Sequence, residues 1–136
     1  MKLKLIMLVS LLAFGFAMSA TAGNVTDADG DLVPDGFDNC DVVPNGPNEG
    51  SNQVDSDLDG YGNACDADYD NNNAVTATDF GPFIAALGTS NDPDTDHDGN
   101  GSTTALDFSV FLAQLTQTFP GTSGLDCAGV VPCTVD

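Results

Sequence analysis

One pattern of oxygen-bearing side chains occurs four times in this chain and leaves it few ways to fold. In each copy these side chains occupy positions 1, 3, 5, 9 and 12 of a twelve-residue loop. Loops 1 and 2 begin 28 residues apart, and so do loops 3 and 4. The repeated residues are Asp27, Asp29, Asp31, Asp35 and Asp38 in loop 1; Asp55, Asp57, Asp59, Asn63 and Asp66 in loop 2; Asp68, Asp70, Asn72, Thr76 and Asp79 in loop 3; and Asp96, Asp98, Asn100, Thr104 and Asp107 in loop 4.

This spacing is the ligand spacing of an EF-hand calcium loop, in which position 7 adds a backbone carbonyl. A loop that wraps one ion presents alternate side chains inward, and the late acid at position 12 closes the coordination sphere. Four copies in register are hard to obtain by chance, even in an Asp-rich chain. We therefore predict about four calcium sites, with these twenty residues as the ligands.

Position 6 of each loop must turn sharply, which favours a positive φ and therefore Gly or Asn. Gly60, Asn73 and Gly101 meet this requirement, whereas Leu32 in loop 1 does not. Loop 1 is therefore expected to turn differently. Because position 12 carries the short Asp side chain, we expect modest affinity, near the roughly 10⁻⁴ to 10⁻³ M of extracellular modules.

The charge balance makes an external cation necessary. Lys2 and Lys4 are the only Lys or Arg residues, and all 21 acids lie beyond residue 22. Repulsion among these carboxylates predicts that folding is coupled to metal binding, and it excludes nucleic acid as a partner. The alternative is that the acids only solvate the surface, as in halophilic or disordered chains.

Residues 1–22 read as a signal peptide. Lys2 and Lys4 precede an apolar run from Leu5 to Met18, and Ala20-Thr21-Ala22 provides a cleavage site before Gly23. A membrane anchor is the competing interpretation, but the run is too short and no second hydrophobic segment follows. We predict a chain that is secreted, extracellular or periplasmic, and not membrane-embedded.

Four cysteines in an exported chain indicate two disulfides, for which three pairings are possible. We favour the pairing of sequence neighbours, Cys40–Cys65 and Cys127–Cys133. A zinc site is the rival interpretation, yet no C-x-x-C pair is present and His97 is the only His. Residues 119–136 are expected to be a disulfide-closed tail that ends an otherwise flexible segment.

Residues 27–68 have almost no helical periodicity and few large apolar residues. They read D-x-D-x-D-L-V-P-D-x-x-D-N-C and then N-Q-V-D-x-D-x-D-G-Y-G-N-A-C-D-x-D. This segment closely resembles thrombospondin type 3 repeats, with Asn63 where an Asp is usual. The resemblance implies that calcium ions and disulfides replace a hydrophobic core.

Residues 68–115 add a helical signal to the loops. Apolar residues follow Asp79 and Asp107 at the i, i+3, i+4 and i+7 spacing of a short amphipathic helix. Thr104 with Asp107, like Thr76 with Asp79, is typical of a helix N-terminus, while Pro82 should kink or delay the first helix. Two such units are expected to bury their stripes against each other. The stripes are Phe80, Phe83, Ile84 and Leu87, and Phe108, Phe111, Leu112 and Leu115.

This second half resembles a dockerin domain, a duplicated loop–helix module that binds cohesin domains. The metal positions match well. Loop positions 10 and 11 are Ala77-Thr78 and Ala105-Leu106, where the best-known dockerins carry polar residues for cohesin recognition. The resemblance implies two calcium-binding loop–helix units and a cohesin-like partner.

Together these features predict a small, mostly irregular calcium-stabilised chain with a short α-helical pair. Thrombospondin type 3-like loops (23–67) are followed by a dockerin-like, EF-hand-like pair (68–118) and the tail (119–136). We expect no enzyme, because 15 of the 21 acids lie on ligand positions and His97 is interpreted as a solvated loop residue. The predicted role is calcium-dependent adhesion or assembly, through a cohesin-like domain or self-association. The alternatives are a dockerin that tethers a carbohydrate-degrading complex by binding a cohesin domain, and a calcium-buffering or matrix protein without a specific partner.

Overall fold

The computed structural model describes residues 25–90 and 92–134. The proposed signal peptide and its cleavage site lie outside these residues. The regular elements are a 3₁₀ turn at Asp35–Phe37, helix α1 at Phe80–Ala86 and helix α2 at Ala105–Leu115. Turns and loops make up the rest of the described chain, so the prediction of a small, mostly irregular chain with a short helical pair is confirmed.

Helix α2 begins at the predicted capping pair. The Thr104 hydroxyl accepts a hydrogen bond from the Leu106 N–H, and the Asp107 carboxylate accepts one from the Thr104 N–H at 2.7 Å. Helix α1 begins only at Phe80, directly after position 12 of loop 3, whereas α2 begins at Ala105, which is position 10 of loop 4. Pro82 therefore falls in the first turn of α1, where its missing N–H is tolerated.

The helices enclose a small aromatic core. Phe83 of α1 and Phe111 of α2 are fully buried, and their ring centroids lie 5.8 Å apart. Tyr69 stacks on Phe111 from loop 3, with a centroid distance of 6.2 Å. Val75 and Ala67 complete the buried cluster. Loop 3 thus supplies one wall of the core.

The apolar stripes are less buried than predicted. Phe80, Ile84, Leu87 and Leu112 keep between 43% and 46% of their surface exposed. The expectation that the two stripes bury each other is therefore wrong for these residues. The physical reason is that Tyr69 and Val75 occupy part of the space that an opposing stripe was expected to fill.

Both favoured disulfides are present. Cys40 and Cys65 are joined across 5.8 Å between Cα atoms, and both lie in a second buried cluster with Ala64. Cys127 and Cys133 form the second bridge. Within the described residues, no helix is both long enough and apolar enough to cross a membrane.

The segment after α2 folds back over loops 1 and 2. The Gly121 N–H donates to the Cys65 carbonyl at 2.7 Å, and the Gly124 N–H donates to the Asp38 carbonyl at 2.9 Å. Farther along, the Cys133 N–H donates to the Leu58 carbonyl at 2.6 Å. The tail is therefore packed onto the loops, and the expectation of a flexible segment is wrong.

Candidate metal centres

The four loops share the same two left-handed backbone positions. Position 6 has a positive φ in every loop: 81° at Leu32, 92° at Gly60, 64° at Asn73 and 91° at Gly101. Position 4 is also left-handed in all four, at Gly30, Leu58, Asn71 and Gly99.

The expectation that loop 1 turns differently is wrong. Leu32 adopts the left-handed region, which costs a side-chain-bearing residue about 1–2 kcal/mol. The conformation brings the Leu32 N–H within 3.2 Å of the Asp27 carboxylate. Closing the loop around its first acid therefore requires the turn, whichever residue occupies position 6.

Each loop gathers three carboxylates. In each group, one oxygen from each side chain lies within 4.8 Å of the others. Loops 1 and 2 use the acids at positions 1, 3 and 5, whereas loops 3 and 4 use those at positions 1, 3 and 12. The groups are Asp27, Asp29 and Asp31; Asp55, Asp57 and Asp59; Asp68, Asp70 and Asp79; and Asp96, Asp98 and Asp107.

Backbone N–H groups hold the first acid of each loop in place. Asp55 accepts hydrogen bonds from Leu58 at 2.7 Å and from Gly60 at 3.0 Å. In loop 4, Asp96 accepts from Asn100 at 3.1 Å and from Gly101 at 2.7 Å. A carboxylate has about four lone-pair sites, so these bonds orient it and leave capacity for a metal ion.

The acid at position 12 is placed differently in the two halves. In loop 4, Asp107 accepts from the Asp98 N–H at 3.2 Å, which joins the start and end of the loop. In loop 1, Asp38 instead accepts from the Cys40 N–H at 2.9 Å and the Gln53 amide at 2.7 Å. Asp66 of loop 2 accepts from the Asp68 N–H at 2.8 Å.

The remaining predicted ligands lie beside these groups. Asp35 and Asn63, at position 9, accept hydrogen bonds from the N–H groups at position 2 of their own loops. Thr104, at position 9 of loop 4, donates its hydroxyl proton to Asp107 at 2.9 Å, and Thr76 makes the equivalent contact with Asp79. Asn72 and Asn100 donate their backbone N–H groups to the acids at positions 1 and 3.

Asp94 is an additional acid near loop 2 that the loop pattern does not include. Burial raises its pKa to about 7, with further contributions from Asp57, Asp92 and Asp59. Asp94 therefore lies close enough to the carboxylates of loop 2 to sense their charge. The continuation of the D-x-D spacing upstream of Asp96 was the only signal for it in the sequence.

The electrostatics of loop 2 favour a bound cation. Burial, reinforced by neighbouring carboxylates, raises the pKa of Asp66 to about 9 and that of Asp59 to about 7. One oxygen of Asp57, like one of Asp29 and one of Asp38, is buried without a hydrogen-bond partner among the described residues. Buried carboxylate oxygens without donors fit a hard divalent cation, which prefers oxygen ligands.

His97 connects three of the four loops. Its side chain is only 3% exposed, so its interpretation as a solvated residue is wrong. Its Nδ1 contacts the carbonyl of Asn63 in loop 2, and its Nε2 lies 2.9 Å from the hydroxyl of Tyr69 in loop 3. Because a carbonyl only accepts, Nδ1 carries the proton and Nε2 accepts from Tyr69. Burial lowers the pKa of His97, which favours this neutral form.

Comparison with known proteins gives a family match for two segments of the chain. The family model described as the thrombospondin type 3 repeat matches residues 25–48 and 54–87. The second match continues past Asp68 through loop 3 and α1, farther than the resemblance inferred from residues 27–68. No curated protein and no solved structure was found to match the chain. Loops 1 to 3 thus lie in segments that match the thrombospondin type 3 repeat, an extracellular calcium-binding module.

Proposed function

We propose that this chain is a secreted, non-catalytic calcium-binding module that folds with Ca²⁺ and acts in extracellular protein–protein adhesion or assembly. The observation that carries the proposal is the fourfold convergence of carboxylates on loops that share left-handed backbone at positions 4 and 6. The match to an extracellular calcium-binding repeat and the two disulfides support the assigned compartment.

Calcium would supply the positive charge that allows these carboxylates to remain ionised side by side. The protein contributes the orientation: backbone N–H groups bond both oxygens of the first acid in each loop, and each oxygen keeps a lone pair for the metal ion. In loop 4 the ion would also join Asp96 and Asp98 to Asp107 at the first turn of α2. The same arrangement in loop 3 would join Asp68 and Asp70 to Asp79 just before α1. Metal binding and helix formation are therefore coupled.

Calcium titration followed by far-UV circular dichroism tests the proposal on residues 23–136. We expect helix to appear with Ca²⁺, to disappear with EGTA, and to appear much less with Mg²⁺, which demands a stricter octahedral geometry. The double variant D68A/D96A should lose the helical signal. D126A removes an exposed acid outside the four loops and is the matched control. A spectrum that is indifferent to calcium and EGTA would refute the proposal.

A dockerin-type role is the second candidate. Loops 3 and 4 share their carboxylate arrangement and are each followed by a short helix, which favours the duplicated loop–helix interpretation. Phe80, Ile84 and Leu112 also present apolar surface to solvent. Affinity capture from the native secretome, with and without calcium, separates the roles. Recovery of a cohesin-bearing protein would establish tethering, and recovery of other surface proteins would establish adhesion or assembly.

A further inference from the structure

The tail forms hydrogen bonds to three consecutive carbonyls of loop 2. These carbonyls occupy positions 4, 5 and 6 of the loop and belong to Leu58, Asp59 and Gly60. Their donors, in the same order, are the Cys133 N–H at 2.6 Å, the Gly129 N–H at 2.8 Å and the Ser123 hydroxyl at 2.7 Å. The carbonyl at position 7, which an EF-hand loop offers to the ion, accepts no hydrogen bond from the described residues. The tail therefore holds the turn of loop 2 and leaves its carbonyl ligand free.

The turns of the other three loops have no such support. Among the described residues, no donor bonds the carbonyls at positions 4 to 6 of loops 1, 3 and 4. Loop 2 is also the loop with the least suitable residue at position 4. Leu58 has a φ of 64° there, in the left-handed region that Gly and Asn accept more readily. The conformation of loop 2 therefore depends on the tail more than that of any other loop.

The disulfide of the tail keeps two of these donors in place. The bridge joins Cys127 to Cys133 across a sequence separation of 6, with Gly129 inside the closed segment. A Cβ on Gly60 would lie 2.6 Å from Cys133 Sγ, so the bridge itself packs on the turn of loop 2. Opening the bridge gives the segment conformational freedom that it must lose again to dock. Because fewer molecules then hold loop 2 in its binding conformation, the apparent calcium affinity of this loop falls.

The two disulfides of the chain differ in their access to solvent. Cys40 and Cys65 are 0% and 1% exposed, which keeps external thiols away from them. Cys127 and Cys133 are partly exposed, and Cys127 lines a groove of about 520 Å³ beside the exposed ring of Phe37. A thiolate that attacks the Cys127 sulfur displaces the Cys133 thiolate, and a second thiol of the same reagent then displaces Cys127. One dithiol thus gives two electrons and two protons to the bridge and itself becomes a disulfide.

We propose that the Cys127–Cys133 bridge is a redox-sensitive latch on loop 2, which an extracellular dithiol opens to release the tail and weaken calcium binding by this loop. Loop 4 keeps its affinity, because no hydrogen bond joins it to the tail among the described residues. Since coupling between two sites is reciprocal, calcium in loop 2 protects the bridge from reduction by the same factor. The inference rests on the proposed calcium binding and adds a means of regulating it.

Calcium titration of the ¹⁵N-labelled chain, followed by NMR, reads loops 2 and 4 separately. The Gly60 and Gly101 N–H groups are matched reporters, because both occupy position 6 and both bond the first acid of their loop. Treatment with dithiothreitol, or the double variant C127S/C133S, should raise the calcium midpoint at Gly60 roughly tenfold and that at Gly101 less than about twofold. Alkylation and mass spectrometry of the treated chain should find the bridge of the tail reduced and the buried bridge intact.

A second pair of variants tests the latch without changing the cysteines. S123A removes the hydroxyl that donates to Gly60 and should raise the Gly60 midpoint about fivefold, the effect of one hydrogen bond. T122A removes an exposed hydroxyl from the neighbouring residue and should change this midpoint less than about twofold.

Three results would overturn the proposal: an unchanged Gly60 midpoint after reduction, equal shifts at Gly60 and Gly101, or equal effects of S123A and T122A. Calcium binding by the untreated, oxidised chain tests the proposed function by itself. If that chain binds calcium in both loops and reduction leaves loop 2 unaffected, the latch fails while the proposed function stands.

Discussion

Replacing His97 with alanine should destabilise the calcium-loaded protein far more than its place in a surface loop would suggest. The imidazole is buried, donates to the Asn63 carbonyl and accepts from the Tyr69 hydroxyl. Its removal leaves one buried acceptor and one buried donor without partners. It also leaves a space beside the Tyr69 ring, whose centroid lies 6.2 Å from that of His97.

The size of the effect follows from these losses. Two hydrogen bonds contribute about 1 kcal/mol each to the free energy of unfolding, and the partners left without bonds and the cavity together add about 1 kcal/mol more. We therefore expect H97A to lower the free energy of unfolding by about 3 kcal/mol, a large part of the ~5–15 kcal/mol typical of a domain.

Urea unfolding in saturating calcium at pH 7.5, followed by far-UV circular dichroism, measures this change. A double-mutant cycle with Y69F isolates the bond between the two side chains: Y69F should cost about 1 kcal/mol in the wild type and much less in H97A. The proposed role of His97 in connecting the loops is refuted if the free energy of unfolding of H97A lies within about 0.5 kcal/mol of the wild-type value. It is also refuted if the effects of H97A and Y69F are additive.

Three further predictions concern the core, the loop backbone and the ionisation of the metal-free chain. F83A should lower the free energy of unfolding by about 3–5 kcal/mol, whereas I84A, at the neighbouring half-exposed position, should cost less than about 1 kcal/mol; urea unfolding in calcium compares them. L32G should raise the free energy of unfolding and G101L should lower it, each by about 1 kcal/mol, because both positions have left-handed backbone. Open space surrounds the Cβ position of Gly101, so no steric clash adds to the effect of G101L. Changes in the same direction for both variants would contradict this. In metal-free buffer, the pKa of Asp66 is raised to about 9 in the folded chain. As pH falls from about 9 to 6, the folded chain therefore binds a proton that the unfolded chain does not, and the folded state gains stability. Light scattering should show a more compact chain on acidification and a less compact one as pH rises.

The sequence was most informative where one constraint repeats. The spacing of acids predicted the four loops, because wrapping a cation requires ligands at fixed intervals whatever the surroundings. The prediction for Leu32 was wrong because residue preference indicates the free-energy cost of a left-handed backbone. It does not indicate whether loop closure outweighs that cost. The carboxylate groups form with Leu32 in the left-handed region, as they do with Gly60 and Gly101.

The periodicity of the sequence does not predict contacts between segments that are distant along the chain. His97 occupies an outward-facing position in its own loop, and only the packing of loops 2 and 3 against it makes that position buried. The half-exposed stripe residues have the same origin, because Tyr69 from loop 3 takes part of the space between the helices. The D-x-D spacing that includes Asp94 did not reveal that its carboxylate is affected by the charge of Asp57, because Asp57 lies far away in sequence.

The returning tail determines how this chain would carry mechanical load. Backbone hydrogen bonds join Gly121 to Cys65, Gly124 to Asp38 and Cys133 to Leu58. Residues 66–120, which include both helices, therefore lie between two segments that are bonded directly to each other. Tension applied between residue 25 and residue 134 would reach these bonds before it reached either helix. The helical pair is thus shielded from force until the tail detaches, while loops 1 and 2 carry the load.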